Sequence, residues 1–529
     1  MVNLIFEKTS YRPTETITGF APSSGSIRVF HLGTPIKEVA CTDEFDLGIF
    51  PEGSYSITWS GNGGEKQNSA FEVLQDPWSR LRYGFISEFS DSVEVDNYVD
   101  WAKKLHITAV QFYDWAWKHE FLTSETTHYP DPLGQLISTE KIKELIRRYQ
   151  DIGVTASGYA AIYAVDGDGW ERWKSSGLFD TKGNPYTLGE DFLWIVDPAD
   201  PKWLKHMTSE LQKAHEFGFN AFHLDQYGWP KNALRTDGVA VDLSTRFPEM
   251  LNHFVSALPE CKLIFNNVND YPTWSTSQTG QHATYIEVWD PHSTYRHLAE
   301  LVSKARGLNP VDPVILSAYL HPFGSIGKGV EEAEAVAAFE LTFASITSGG
   351  ASHLITGGDG RVLHHAYYVN NYIAPEATLR TIQKYFDLVV ASGDLLYDTS
   401  REDVTLIEAF GVNNEIKFDS LVPFSHEPLP RNMWIRVFKG KTGLTIHIIN
   451  LLDQDNCIWD APKNQITSSA ELGISIEAAA FSSQISVARG ISGSEFQLKK
   501  MSIEGSRLQV KVDIQSAWTI VNIPFDANN

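Results

Sequence analysis

Apolar residues recur at two spacings along this 529-residue chain, and the spacing changes twice. Up to about residue 75 they alternate with polar ones in short segments such as GSIRVFHLG and GSYSITWSG, divided by Gly, Ser and Pro, the pattern of half-buried strands. This predicts an N-terminal immunoglobulin-like β-sandwich over residues 1–77. The same texture returns over 394–529 in MWIRVFKGKTGLTIHIINLL, RLQVKVDI and AWTIVNIPF, predicting a C-terminal antiparallel β-sandwich. Between them, over 78–393, short apolar runs alternate with helical periods. Ile142, Leu145, Ile146 and Tyr149 stand at i, i+3, i+4 and i+7, as do Val95, Tyr98, Val99 and Ala102. Eight strand candidates are spaced through this region: RYGFISEF, ITAVQFY, VTASGYAAIYA, FNAFHLDQ, KLIFNN, ATYIEVW, PVILSAY and ASHLIT. Eight strands with following helices predict a (β/α)8 TIM barrel, so the chain as a whole is multidomain α/β plus all-β. The competing doubly wound sheet lacks its GxGxxG turn here.

Composition narrows the partners. With 43 Lys+Arg against 66 Asp+Glu the formal charge is −23, which repels nucleic acid and anionic membrane surfaces. No apolar run is long enough to span a bilayer. Cys41, Cys261 and Cys457 fit neither a zinc site nor a disulfide framework.

In a barrel the polar residues at the C-terminal strand ends build the site, and four ends carry acids: Asp114, Asp225, Glu287 and Asp359. Alternation turns Phe222 and Leu224 outward and His223 and Asp225 into the mouth; likewise Ile286 and Val288 face out, Tyr285 and Glu287 in. A lone Asp at a strand end is ordinarily a helix cap or a salt-bridge partner. Two acids converging from the fourth and sixth strands suit glycosidic cleavage, where one carboxyl supplies a proton and the other attacks or activates water. Tyr113, Trp115, Tyr227, Trp229 and Trp289 frame them as a neutral sugar would require. Trp170, Trp173, Tyr186 and Trp194, in the loop after the third strand, are expected to be at least half loop core, the remainder sugar platforms. A metal reading on His223, Asp225, His364 and His365 lacks HxH or HExxH spacing. No GxSxG elbow or P-loop is present, so no metal or other cofactor is expected.

Taken in order, RYGF (82–85), QFYDW (111–115), GFNAFHLDQYG (218–228), YIEVW (285–289) and GGDG (357–360) resemble glycoside hydrolase family 66, the dextranases and cycloisomaltooligosaccharide glucanotransferases. The resemblance implies that Asp225 is the nucleophile and Glu287 the general acid/base of a retaining attack on α-1,6-glucan. It implies Asp114 and Asp359 as hydroxyl ligands, with Tyr113, Trp115, Tyr159, His223, Gln226, Asn267, Trp289 and His353 as the surrounding wall. Cyclising members carry a binding module after the third strand. Only about 55 residues separate strands three and four here, too few for a module of roughly 100, so hydrolysis of dextran to isomaltooligosaccharides is expected over cyclising transfer, with a non-catalytic glucan-binding protein as the remaining alternative. Dextran's size implies an exported enzyme whose leader has been trimmed; action in the cytoplasm on imported oligosaccharides is the alternative. Nothing in the sequence indicates the oligomeric state.

Overall fold

In the computed structural model, which describes residues 4–190 and 192–526, the eight predicted strands form one sheet in chain order. They are β1 (Tyr83–Ile86), β2 (Ala109–Phe112), β3 (Thr155–Ala161), β4 (Ala221–Asp225), β5 (Lys262–Val268), β6 (Ala283–Glu287), β7 (Val314–Ser317) and β8 (Ser352–His353). Every neighbouring pair is parallel. The sheet rolls up until β8 meets β1: the Tyr83 amide donates to Ser352 Oγ at 3.4 Å. Just past β8, a Cβ on Gly357 would lie 1.8 Å from the carbonyl oxygen of Phe85. Glycine at 357 is therefore a steric condition of closing the barrel.

Seven connections carry a long helix: α1 (Val95–Lys104), α2 (Thr139–Asp151), α3 (Pro201–Phe217), α4 (Leu243–Ala257), α5 (Tyr295–Leu308), α6 (Glu332–Thr347) and α7 (Glu376–Ala391). The periodic residues of α1 and α2 are all buried. α3 begins where Asp200 accepts from the amides of Lys202 and Trp203 with Pro201 at its first position, and stops at Gly218, φ 138°. α6 is buried on nearly every side, because the barrel covers one face and strands of the C-terminal sheet the other. The expected helix between β5 and β6 shrinks to a single turn, Thr273–Thr276.

Two-sheet β structures flank the barrel. The N-terminal one pairs a three-stranded and a four-stranded sheet around Phe6, Phe45, Phe50, Trp59 and Phe71. It is fastened to the rest of the chain by polar contacts: Asp387 of α7 accepts from Ser69 Oγ at 3.1 Å and meets His106 Nε2 at 2.9 Å, while Ser54 accepts from Arg80 at 2.7 Å and its amide donates to Asp394 at 3.0 Å. The C-terminal one pairs a seven-stranded with a four-stranded sheet around Ile435, Ile446, Ile448, Leu472, Val487 and Val512. One of its loops reaches back over the barrel mouth. The Trp459 indole donates to His292 O at 2.6 Å, and the Tyr295 amide donates to Cys457 O at 3.0 Å. This loop braces the connection that follows β6.

The aromatic loop after β3 packs on itself. Trp170 stacks on Trp194 at 4.7 Å, Trp173 meets Trp203 edge-on at 4.9 Å, and Tyr186 meets Trp229 at 4.8 Å. Trp170 and Trp173 are buried and the other two half-buried, so these four serve as loop core, while Phe192 of the same loop is exposed and lines the cavity. A small sheet of Ala164–Asp166, Leu193–Ile195 and Thr187–Leu188 organises it.

Candidate active site

β4 and β6 lie two strand spacings apart, about 9.5 Å, with β5 between them. Because all three are rolled into a barrel, side chains on their inner faces lean together. Asp225 ends β4 and Glu287 ends β6, and Asn266 of β5 joins them: its Nδ2 donates to Asp225 Oδ1 at 2.7 Å and to Glu287 Oε2 at 3.0 Å. Those two oxygens therefore lie no farther apart than the two bonds laid end to end. That is short of the ~6.5–9.5 Å of inverting glycosidases and fits the ~5–5.5 Å of retaining ones. In this orientation the amide donates to both acids, and Asn266 Oδ1 is buried with no hydrogen-bond partner among the described residues.

Each acid has a tyrosine on its far side. Tyr159 OH donates to Asp225 Oδ2 at 2.7 Å, and Tyr319 OH donates to Glu287 Oε1. Burial, reinforced by the Glu287 charge, pushes Asp225 up to about 7. Burial likewise pushes Glu287 up, against the hydrogen bonds it accepts from Tyr319, Asn266 and the Trp289 side chain. Two desolvated acids this close oppose each other's ionisation, so losing the first proton makes the second harder to lose. Among the described residues neither acid pairs with a lysine or arginine; their partners are Asn266, Tyr159 and Tyr319.

The cavity around them measures about 250 Å³ and opens to solvent; Tyr113, Asp114, Tyr159, His223, Gln226 and Trp289 line it as expected. Tyr113 stacks on Tyr368 at 4.4 Å. Asp114 sits in the left-handed region, φ 48°, where non-glycine residues are uncommon; burial pushes its carboxyl up to about 7. His223 forms the floor between the rings of Tyr83 and Tyr159, and burial lowers it to about 3, so it is neutral. Gln226 gives its amide to Asn266 O and Tyr271 O, both at 3.0 Å, and accepts from the Gly228 amide; it braces the loop after β4.

Three expected wall residues and one expected hydroxyl ligand, Asp359, are elsewhere. Trp115 follows the left-handed Asp114, which breaks the strand alternation, and is turned outward onto Phe217 and Phe219 with its indole on Tyr159 O at 3.1 Å. Asn267 lies on the outer face of β5, bonded to Tyr285 O and Thr276. His353 is outward on β8, its Nε2 on Ala318 O at 2.9 Å and its ring against Phe343 of α6. Asp359 sits beyond the strand in a salt bridge to Arg361 at 2.5 Å, away from the cavity. Tyr227, read from the sequence as a framing aromatic, also lines the cavity; Asn266, His119, Tyr319, Tyr367 and Tyr368 line it too and escaped the sequence reading. Alternation applied to β5 and β7, as it was to β4 and β6, points Asn266 and Tyr319 inward. His119 and the two loop tyrosines follow no strand period and left no such signal.

Among the described residues one carboxylate group, Glu120, Asp166 and Asp168, lies close enough to share a cation. His119 and Lys118 already pair with Asp166 and Asp168. His364 and His365 are not part of the cavity wall. No helix among the described residues is long and apolar enough to cross a membrane.

The sequence profile of glycosyl hydrolase family 66 matches residues 54–521. A cycloisomaltooligosaccharide glucanotransferase from Niallia circulans is 28% identical over 295 residues, which is 50% of this chain and 30% of that protein; the matched part thus spans under a third of the curated relative. The crystal structure of a Paenibacillus sp. cycloisomaltooligosaccharide glucanotransferase complexed with cycloisomaltoheptaose superposes with a TM-score of 0.86 at 17% identity, covering 98% of this chain and 99% of the other. At that identity the likeness speaks for the fold. A maltogenic α-amylase from Thermotoga neapolitana follows at a TM-score of 0.52 and 10% identity, covering 85% of this chain and 99% of the other.

Proposed function

Because the chain belongs to glycosyl hydrolase family 66, we propose that it cleaves α-1,6-linked glucan internally with retention, releasing isomaltooligosaccharides from dextran. The observation that carries the reading is the single Asn266 amide spanning Asp225 and Glu287, which holds two carboxyls at the spacing of a double displacement.

In the first step Glu287, protonated, gives its proton to the departing glycosidic oxygen while ionised Asp225 attacks the anomeric carbon. The C–O bond breaks, a β-glucosyl ester forms, and Glu287 is left as carboxylate. In the second step that carboxylate takes a proton from water, the hydroxide displaces Asp225, and both groups return to their starting states. Tyr159 and Asn266 hold Asp225 by both oxygens, so its attack needs no side-chain search.

Hydrolysis is our first reading because the connection after β3 is short and, among the described residues, folds into a small sheet and short helical turns. The relatives' own glucanotransferase names keep transfer as the second reading. Digestion of soluble dextran tests both: new reducing ends with an α anomer released first support the proposal. Initial release of the β anomer, or no increase in reducing ends, refutes it, and non-reducing cyclic products assign the chain to transfer.

A further inference from the structure

Three arginines from three parts of the chain meet around one cavity. Arg306 lies in the last turn of α5, Arg401 in the segment that leaves the barrel, and Arg436 in the strand Met433–Lys439 of the C-terminal sheet. All three guanidinium groups reach the turn that ends α6. Arg306 Nη1 donates to Gly350 O at 3.5 Å, Arg401 Nη2 to Ser348 O at 2.6 Å, and Arg436 Nη1 to Ser348 Oγ at 2.9 Å. The ring of Phe438 carries two of them, with Arg401 Cζ 3.8 Å and Arg436 Cζ 5.0 Å from its centroid. The cavity they line measures about 460 Å³ and, among the described residues, shares none with the catalytic one. Because α5 and α6 end here and lead into the starts of β7 and β8, it lies at the opposite face of the barrel from Asp225 and Glu287.

Helix capping explains part of this arrangement. The C-terminus of α6 presents roughly half a negative charge to cations set against it, and Arg401 also donates to Leu396 O at 2.7 Å. Three cations need more. Among the described residues their one ion pair is Arg436 with Asp403 at 3.9 Å, too long for a hydrogen bond. Asp403 is exposed and accepts from the Thr405 amide at 3.0 Å. Asp398 gives its carboxylate to Ser400 Oγ at 2.7 Å and the Lys441 amide at 2.8 Å, and Glu402 is exposed. Arg306 engages acceptors only at 3.5 and 3.4 Å, few for a group with five N–H donors. Arg401 and Arg436 are 7% and 6% exposed, yet Arg401 Nε is buried with no hydrogen-bond partner among the described residues. Burial pushes Arg401 well below its ordinary value, and the charges of Arg306 and Arg436 push it the same way. Buried cations so poorly matched are unfavourable unless a counter-charge joins them.

We propose that this cavity is an oxyanion site, in which a phosphate group, free or as a monoester, lies among Arg306, Arg401 and Arg436 and ties α5 and the α6 turn to the C-terminal sheet. Three planar forks around one space suit an anion whose oxygens point in three dimensions. A halide offers a single point of charge, and a carboxylate two oxygens in one plane. The site is a local excess of positive charge in a chain of formal charge −23, so an anion repelled elsewhere on the surface is attracted here. It stands apart from the glycosidase reading, because it uses none of the residues of the carboxyl pair's cavity.

Inorganic phosphate is titrated into the full chain near neutral pH, with chloride holding the ionic strength constant, and binding is followed by calorimetry and by the thermal midpoint. One equivalent per chain and a saturating rise in midpoint of about 2 °C or more are expected. Arg306→Gln is expected to weaken phosphate binding about tenfold or more, while Arg380→Gln, an exposed partner of Glu376 on α7, leaves it unchanged. If Arg306→Gln does not fold, Arg306→Lys, which keeps the charge and loses the fork, is expected to weaken binding as well. Glucose 6-phosphate forms a second arm: binding tighter than that of phosphate assigns the site to a monoester, and equal or weaker binding assigns it to the free ion. No phosphate bound by the parent, or equal affinity and equal midpoint response in the parent and the folded Arg306 variant, overturns the proposal and leaves the arginines as caps of α6.

Discussion

Replacing Asn266 by Ala removes one amide that serves two acids. Its Nδ2 bonds to Asp225 Oδ1 at 2.7 Å and Glu287 Oε2 at 3.0 Å, and hydrogen bonds to charged groups contribute ~1.5–3 kcal/mol each. Only the part that differs between ground and transition state affects the rate. Taking one such bond, about 3 kcal/mol, as the differential share predicts a fall in kcat/KM on dextran of about 10²-fold. The direction of the pH effect follows from the same contacts. The amide lowers both Asp225 and Glu287, so its loss raises both, and the acid limb of the kcat/KM profile, set by ionisation of the nucleophile, moves to higher pH. Initial rates of reducing-end release across pH 5 to 9, with circular dichroism to check the fold, provide the measurement. A folded variant with activity within threefold of the parent and an unmoved acid limb would refute the argument that this amide sets the pair.

Asp225→Asn is expected to abolish turnover yet raise the thermal midpoint above pH 7. The folded-state value of Asp225, about 7, lies above that of an unfolded Asp, so its ionisation weakens the fold as pH rises past the unfolded value and towards 7; near pH 4, where the acid is protonated in the native state, the gain should shrink towards zero. Asp359→Asn should leave kcat and KM within twofold, since its partner is Arg361 and not the cavity; a large rise in KM would restore it as a sugar ligand. Gly357→Ala should cost about 3 kcal/mol or more, because the added Cβ meets Phe85 O at 1.8 Å. Denaturant titration reads that cost, and a midpoint equal to the parent's would disprove the closure argument.

The linear order of residues by itself determined the eight strands, most of the helices and the inward direction of His223, Asp225, Tyr285 and Glu287, because a two-residue side-chain period and a 3.6-residue period are local geometry. It also made the family legible, since the matching stretches each surround a strand end. Which acid at a strand end enters the site was decided by tertiary structure. Asp359 and Asp114 read alike in the sequence, yet Arg361 takes up one, while the other is turned into the cavity at φ 48°. Trp115 and His353 were misplaced for a related reason: a left-handed residue or an outward register position sends a polar or aromatic side chain to the helices instead of the mouth. Asn266 was within reach of the alternation rule. His119 was not, because the loop that carries it owes its position to Asp166, nearly fifty residues farther along, and contacts at such a separation exist only once the chain has folded.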